Sequence, residues 1–245
     1  MLFDLSKVDN LSSNIIGGKA YNLFKLMQLG FSVPDAFVIT VDTENVLELK
    51  ENILNHYIVK SSANFAIRSS GVGEDSLSYS FAGAFNSYMN VPREKIIDHV
   101  VDVLDSVNNV RANIYSDKRG SSVVAMAVIV QHMIVADYAG VAFSSDPIKN
   151  IDNAMLIEIV KGSGESLVSS KKTPYSIRIN KLTGMVRTQQ IGHDNISEVQ
   201  AYGLCEILLP VIERIESAYG IPVDVEWAIS KNKLYILQAR PITSI

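Results

Sequence analysis

One cysteine in 245 residues, Cys205, excludes an internal disulfide and a cysteine-based metal cluster, and fits a reducing compartment. Lys and Arg run together only as doublets such as Lys118-Arg119 and Lys171-Lys172, and the net charge is −4 with a pI of about 5.6. A nucleic-acid backbone needs clustered cations, so a general nucleic-acid partner is excluded. The four histidines, His56, His99, His132 and His193, form no close pair and no HxxxH spacing. A zinc centre or a Ser/His/Asp catalyst is left without support. The most apolar stretch, Val123 to Val130, is far too short to span a bilayer. The amino terminus carries charge by Asp4 and Lys7 and leads into no apolar signal core. The expectation is a soluble cytoplasmic protein with no membrane partner.

What is present is ordinary globular composition, 47% hydrophobic and 20% charged, enough for a sizeable core. Helical spacing runs from Gly18 to Leu29 and stops at Gly30. Phe37 to Thr40 reads as a short strand, 42–59 as helix, Phe65 to Ser69 as strand, and the Gly/Ser-rich segment 69–84 as a loop. Arg93 to Asp117 is helical by periodicity. Strand character follows in Val123 to Ile134, Ala139 to Ser144, Met155 to Val160, Tyr175 to Asn180 and Met185 to Gln190. Ser197 to Ala218 reads as a helix in which Pro210 implies a kink or a break. Val223 to Ile229 and Leu234 to Ala239 form a hairpin around Ser230-Lys231-Asn232-Lys233. A helix-rich first part and a strand-rich second part predict an α+β fold of two lobes, 1–125 and 126–245. A cleft between lobes is a common place for a small-molecule site.

Several clusters carry chemistry. After Phe65 to Ser69, Arg68 leads a run of hydroxyls and glycines, through Gly71, Gly73 and Gly83 to Ser87. Glycines let backbone N–H groups approach an anion, and an arginine forks onto phosphate oxygens. The competing reading is a solvated surface loop. In the terminal hairpin, Glu226 and Gln238 can face each other, and alternation puts Arg240 on the face of Gln238 and Asp224 on that of Glu226. A carboxylate and an amide oxygen are hard ligands suited to Mg²⁺, and an adjacent arginine can neutralise a transferring phosphoryl group. An exposed polar cross-strand pair is the alternative. Lys19, in Gly17-Gly18-Lys19, opposes the helix dipole, so it has no obvious stabilising role there and could bind phosphate as a flexible point charge. No GxxxxGK[ST] spacing surrounds it, and a solvated lysine is the simpler account. Val130-Gln131-His132-Met133 ends an apolar strand that can offer backbone groups and a soft Met133 wall to an adenine, or is simply a core strand reaching the surface. Gly162-Ser163-Gly164-Glu165 is an ion contact or a turn.

The order of these blocks is more telling than any one of them. Gly17-Gly18-Lys19-Ala20-Tyr21-Asn22-Leu23 and Gly30-Phe31-Ser32-Val33-Pro34 resemble the opening of the nucleotide-binding domains of the phosphoenolpyruvate synthase, pyruvate phosphate dikinase and rifampin phosphotransferase family. The resemblance continues through Arg68-Ser69-Ser70, Glu74-Asp75, Ser80-Phe81-Ala82-Gly83, Gln131-His132-Met133, Gly140-Val141-Ala142-Phe143-Ser144 and Gly162-Ser163-Gly164-Glu165. It closes with Asp224-Val225-Glu226-Trp227-Ala228 and Gln238-Ala239-Arg240-Pro241, and so covers nearly the whole chain.

That resemblance implies an ATP-grasp-like fold with ATP and Mg²⁺. Lys19 and Arg68 would contact phosphates, and Gly83, Ala84 and Ser87 would form the phosphate-cradling loop. Gln131 and Met133 would meet the adenine, Glu226 and Gln238 would hold Mg²⁺, and Arg240 would lie near the transferred phosphate. Lys19, Arg68 and Arg240 are thereby the expected catalytic residues. In the family, ATP gives its β-phosphoryl group to a histidine on a separate swivelling domain, releasing AMP and phosphate. No Thr-x-His-like segment is present, so the phosphohistidine and acceptor domains are expected on a partner polypeptide. Departures from the family pattern are a short segment from Thr40 to Phe65, Ala84 where Gln is common, Ser87 for Thr, and Tyr175 where Asp follows Thr-Pro. Two other functions stay open: an ATP-binding regulatory module without turnover, and a direct small-molecule kinase.

Overall fold

Ser12 starts the first helix by accepting the Asn14 N–H on its hydroxyl, and Gly30, at φ 79°, follows its end. The computed structural model describes residues 1–43, 45–62, 64–73, 85–106, 125–147, 153–162, 173–190 and 196–242. Among the described residues the helices are α1 (Ser13–Gln28), α2 (Lys50–Asn55), α3 (Tyr57–Ser61), α4 (Ile96–Asp105) and α5 (Glu198–Tyr219). The strands are β1 (Leu2–Asp4), β2 (Ala36–Ile39), β3 (Asn64–Gly71), β4 (Ser87–Pro92), β5 (Met126–His132), β6 (Tyr138–Phe143), β7 (Ala154–Lys161), β8 (Tyr175–Asn180), β9 (Val186–Gln190), β10 (Val223–Ser230) and β11 (Lys233–Pro241). The fold is α+β.

The chain divides into two compact units, one of residues 1–30 and 34–133, the other of 31–33 and 134–245. In the first, an antiparallel sheet runs in the order β1-β2-β5-β3-β4. Period-two alternation sends Phe37, Ile39, Phe65, Ile67, Val128 and Val130 into one core. Helix α4 covers it with Ile96, Ile97, Val100 and Val103, spaced on one helical face. The same alternation leaves Ala66, Arg68, Ile129 and Gln131 on the other face, and α1 packs on β3 and β5.

In the second unit the antiparallel order is β11-β10-β6-β7-β8-β9, with α5 packed on β10 and β11. The β10–β11 turn places Lys231 and Asn232 at φ 50° and 62°, the paired left-handed geometry that two-residue hairpins favour. Helix α5 opens on a capping box between Ser197 and Gln200 and ends at Gly220. It runs unbroken through Pro210, where the sequence suggested a kink or break. Pro210 and Glu206, whose carbonyl loses its N–H partner, both lie on the exposed side of the helix, where water can replace the lost donor. Cys205 is buried in α5, and burial pushes its thiol up to about 12, so it is no nucleophile at neutral pH.

Gly140 has a steric role at the centre of this sheet. A Cβ there would stand 1.8 Å from the Glu158 carbonyl oxygen and 2.7 Å from the buried Trp227 ring. Gly140→Ala is expected to lower unfolding free energy by about 3 kcal/mol, because the strand must shift to relieve the clash. Gly203→Ala, on exposed helix with nothing within 4 Å, should raise it by about 0.5–1 kcal/mol. Chemical denaturation of the two variants checks both signs; equal midpoints would refute the steric account.

Candidate nucleotide and metal site

Each unit carries a distinct set of polar side chains. In the first, α1 does not run smoothly into Lys19. Gly17 takes φ 74° and ψ 172° inside the helix, and a Cβ there would meet the Ser70 carbonyl oxygen at 1.9 Å. Lys19 follows this break, and its Nζ lies 3.5 Å from Ser69 Oγ. Ser69 ends the strand read from sequence and starts the loop read after it; Ser70 and Gly71, read as loop, instead continue β3 with it. They pair with Val128, Ala127 and Met126, because β5 extends alongside them.

Arg68 is buried, with 8% exposure, and stands opposite Ser87 on β4 and Ile129 on β5. The Ser87 pairing depends on a register shift. Continuing from Asn64↔Pro92 and Phe65↔Val91 would set Arg68 against Tyr88, but an irregularity between Phe65 and Ile67 sets it against Ser87. Asn90, at φ 55°, lies in the shifted stretch of β4. Gln131 pairs with Ala66, so it shares the Arg68 face one step along the sheet. The Gln131 side chain is 2% exposed, and its Nε2 has no hydrogen-bond partner among the described residues. An orphaned buried amide is costly unless something arrives to accept from it. Met133 follows at the strand end, its N–H donating to the Asn64 carbonyl. Gly83 and Ala84 lie outside the described residues, as do Glu74, Asp75 and Ser163-Gly164-Glu165.

In the second unit, β10 buries Val223, Val225 and Trp227 completely, while Asp224 and Glu226 alternate onto the other face. Glu226 stands directly opposite Gln238, and Asp224 opposite Arg240. A bulge is again responsible. The tight turn would set Glu226 against Leu237, and a register shift between Glu226 and Trp227 brings Gln238 there instead. Arg240 is held firmly: its Nε and Nη2 donate to Asp224 Oδ2 at 2.9 and 2.7 Å. The sequence placed Asp224 on this face but did not show it as the partner of Arg240.

The same face continues across the sheet. Glu226 pairs with Val141, which pairs with Glu158 on β7. Burial raises the Glu158 carboxyl above its ordinary pKa; Arg178 opposes that rise and Asp146 adds to it. Asp146, fully buried, is satisfied by Arg178 Nε at 2.7 Å. Sequence reading did not single out Asp146, Glu158 or Arg178. Arg178 alternating with Ile177 and Ile179 was the available signal for a polar position on a half-buried strand.

The family described as pyruvate phosphate dikinase, AMP/ATP-binding domain, matches residues 43–245. The chain belongs to that family. It is an ATP-binding domain of the dikinase type. Relatives include an uncharacterized phosphotransferase, YvkC, of Bacillus subtilis, 29% identical over 96% of this chain and 34% of its own length. A probable phosphoenolpyruvate synthase of Methanothermobacter thermautotrophicus is 30% identical over 94% of this chain and 44% of its own. The chain thus spans less than half the length of these relatives. Among solved structures, an L-amino acid ligase from Bacillus licheniformis aligns over 93% of this chain and 43% of its own, with 14% identity and a TM-score of 0.47.

The dikinase family implies Mg²⁺, and the hairpin's donor set fits it. Glu226 and Gln238 offer a carboxylate and an amide oxygen side by side, both hard donors. No group of three or more His, Cys, Asp or Glu suited to a metal occurs among the described residues. A binding mode with one or two protein ligands, completed by phosphate oxygens and water, is the one Mg²⁺ usually takes with nucleotides. No helix among the described residues is long and apolar enough to cross a membrane.

Proposed function

We propose that this chain is the ATP-binding component of a dikinase-type phosphotransferase with an ATP-grasp-like fold. It cleaves ATP to AMP and phosphate and passes the β-phosphoryl group to a histidine outside these 245 residues, which delivers it to a small-molecule acceptor. The observation that carries this reading is the β10–β11 hairpin, where Glu226 faces Gln238 and Arg240 is locked beside them by Asp224. A carboxylate, an amide and an immobilised guanidinium on one sheet face suit a metal-bound polyphosphate better than a solvent-exposed strand pair. Arg240 needs little reorganisation to meet developing charge, the condition under which electrostatic catalysis is strongest.

In this reading the first unit supplies Lys19, Arg68 and Ser87, with Gly83 and Ala84, to the phosphates, and Gln131 and Met133 to the adenine. The unpartnered Gln131 amide supports the last assignment, since the adenine edge carries acceptors. Glu226 and Gln238 hold Mg²⁺, which when bound neutralises phosphate charge. That this chain spans only 34% and 44% of the length of two relatives supports a histidine and acceptor carried outside these residues; in this reading a partner protein carries them.

Product analysis with Mg²⁺-ATP, alone and with the protein encoded beside it, tests the reaction. AMP and phosphate appearing only with the partner are expected. ADP would replace this reading with a direct kinase, and binding without turnover would replace it with a regulatory module.

A further inference from the structure

Ser70 is buried, and its hydroxyl makes two hydrogen bonds that no packing argument requires. It donates to the Ile16 carbonyl at 2.8 Å and accepts the Ala20 N–H at 3.0 Å. In an uninterrupted helix, that N–H and that carbonyl are each other's partners, four residues apart. The Ser70 hydroxyl has therefore been inserted into the α1 ladder, one residue beyond Lys19. The break this creates is the point where Gly17 turns to φ 74°. Gly17 is also where the helix lies against the Ser70 backbone, too close for any side chain.

We propose that Ser70 is a positioning residue for Lys19: its hydroxyl holds α1 open at Gly17 and so fixes where the lysine ammonium stands relative to Arg68 and Ser69. This rests on the reading of Lys19 as a phosphate contact and adds to it the device that aims it. β3 thereby performs three tasks in consecutive residues. Arg68 supplies one cation, Ser69 stands beside the ammonium of the other, and Ser70 anchors the helix that carries it. Without the hydroxyl, the Ala20 N–H and the Ile16 carbonyl are left to close on each other directly. That closure requires Gly17 to leave its left-handed conformation, which rotates the following residues and carries Lys19 away from β3. The alternative, leaving both groups buried and unpaired, is the costlier outcome.

The test is a double-mutant cycle on the whole chain, read by calorimetric titration with MgATP and, separately, with adenosine, which has no phosphate. Lys19→Ala should weaken MgATP binding by about tenfold or more, the worth of a charge-assisted contact, and leave adenosine unchanged. Ser70→Ala should show the same pattern at a similar size, and adding it to Lys19→Ala should cost little more. Ser70→Thr, which keeps the hydroxyl, should restore MgATP affinity. Ser70→Cys, similar in size but a poor hydrogen-bonding group, should behave like alanine and serves if the alanine variant does not fold. Parent-like MgATP binding in Ser70→Ala or Ser70→Cys, with Lys19→Ala impaired, overturns the proposal and leaves the phosphate role of Lys19 standing. Fully additive losses, or an equal loss for adenosine, overturn it as well. Parent-like binding by Lys19→Ala instead removes the underlying reading of that lysine, and the proposal with it.

Discussion

Glu226→Ala is expected to lower Mg²⁺-dependent turnover of ATP by about a hundredfold or more, since outer-sphere changes alone cost about 10–100-fold at metal sites. The side chain is half-buried on β10, directly opposite Gln238, and supplies the only charge of the two proposed metal ligands. Its removal leaves an amide oxygen as sole protein ligand, too weak to hold a hydrated Mg²⁺ against water. The strand itself should survive, because Val225 and Trp227 bury the opposite face and are untouched. The informative measurement is therefore nucleotide affinity across a Mg²⁺ titration, beside an unfolding curve. Loss of the magnesium dependence with a parent-like unfolding midpoint is the expected result. Parent-like turnover would remove the metal assignment.

Arg240→Ala should act on a different quantity. An arginine working on the transferring phosphoryl group affects kcat, and such residues are worth about 10³-fold or more in related chemistry. Binding of ATP should change by less than about tenfold if the interaction tightens only in the transition state. Arg240 is also the partner of Asp224, which is 8% exposed. Removing the guanidinium strands that carboxylate, and alanine will destabilise the hairpin as well. Arg240→Lys separates the two effects. It keeps a charge near Asp224 but loses the two-nitrogen grip and the planar fork, so stability should largely return while kcat stays low. Weakened ATP binding at an unchanged kcat, or full recovery of kcat by lysine, would contradict the assigned role.

Much of the architecture was legible because it is written in local periodicity. The alternation in Tyr175 to Asn180 and the 3.6-residue spacing through Ile96, Ile97, Val100 and Val103 each name one kind of element and one buried face. The long strand β5 and the closing hairpin were legible for the same reason. The elements not anticipated, β1 and β4, are short edge strands. Leu2–Asp4 pairs with β2 alone and Ser87–Pro92 with β3 alone, and neither short segment carries a strong pattern of its own. The segment 69–84 read as a loop since serine and glycine favour turns. Pairing with β5 overrode that preference as far as Gly71.

The site divides along the same line. Its residue types were set out in the sequence: two hard ligands and an arginine near the carboxyl end, a lysine after two glycines, an arginine before hydroxyls. The facing of Glu226 and Gln238 was legible too, but the register shifts that produce the alignments were not. Turn geometry alone sets Glu226 against Leu237, and an unbroken β3–β4 ladder sets Arg68 against Tyr88; one register shift in each sheet replaces them with Gln238 and Ser87. The hold of Asp224 on Arg240 follows from the first of these shifts, and the insertion of Ser70 into α1 joins residues more than fifty positions apart. By itself, then, the sequence determined the strongly periodic elements, the faces they bury and the chemical groups on offer. Only the tertiary structure decided which group stands opposite which, because registers, bulges and helix breaks are settled by contacts between strands and helices that no short window of sequence contains.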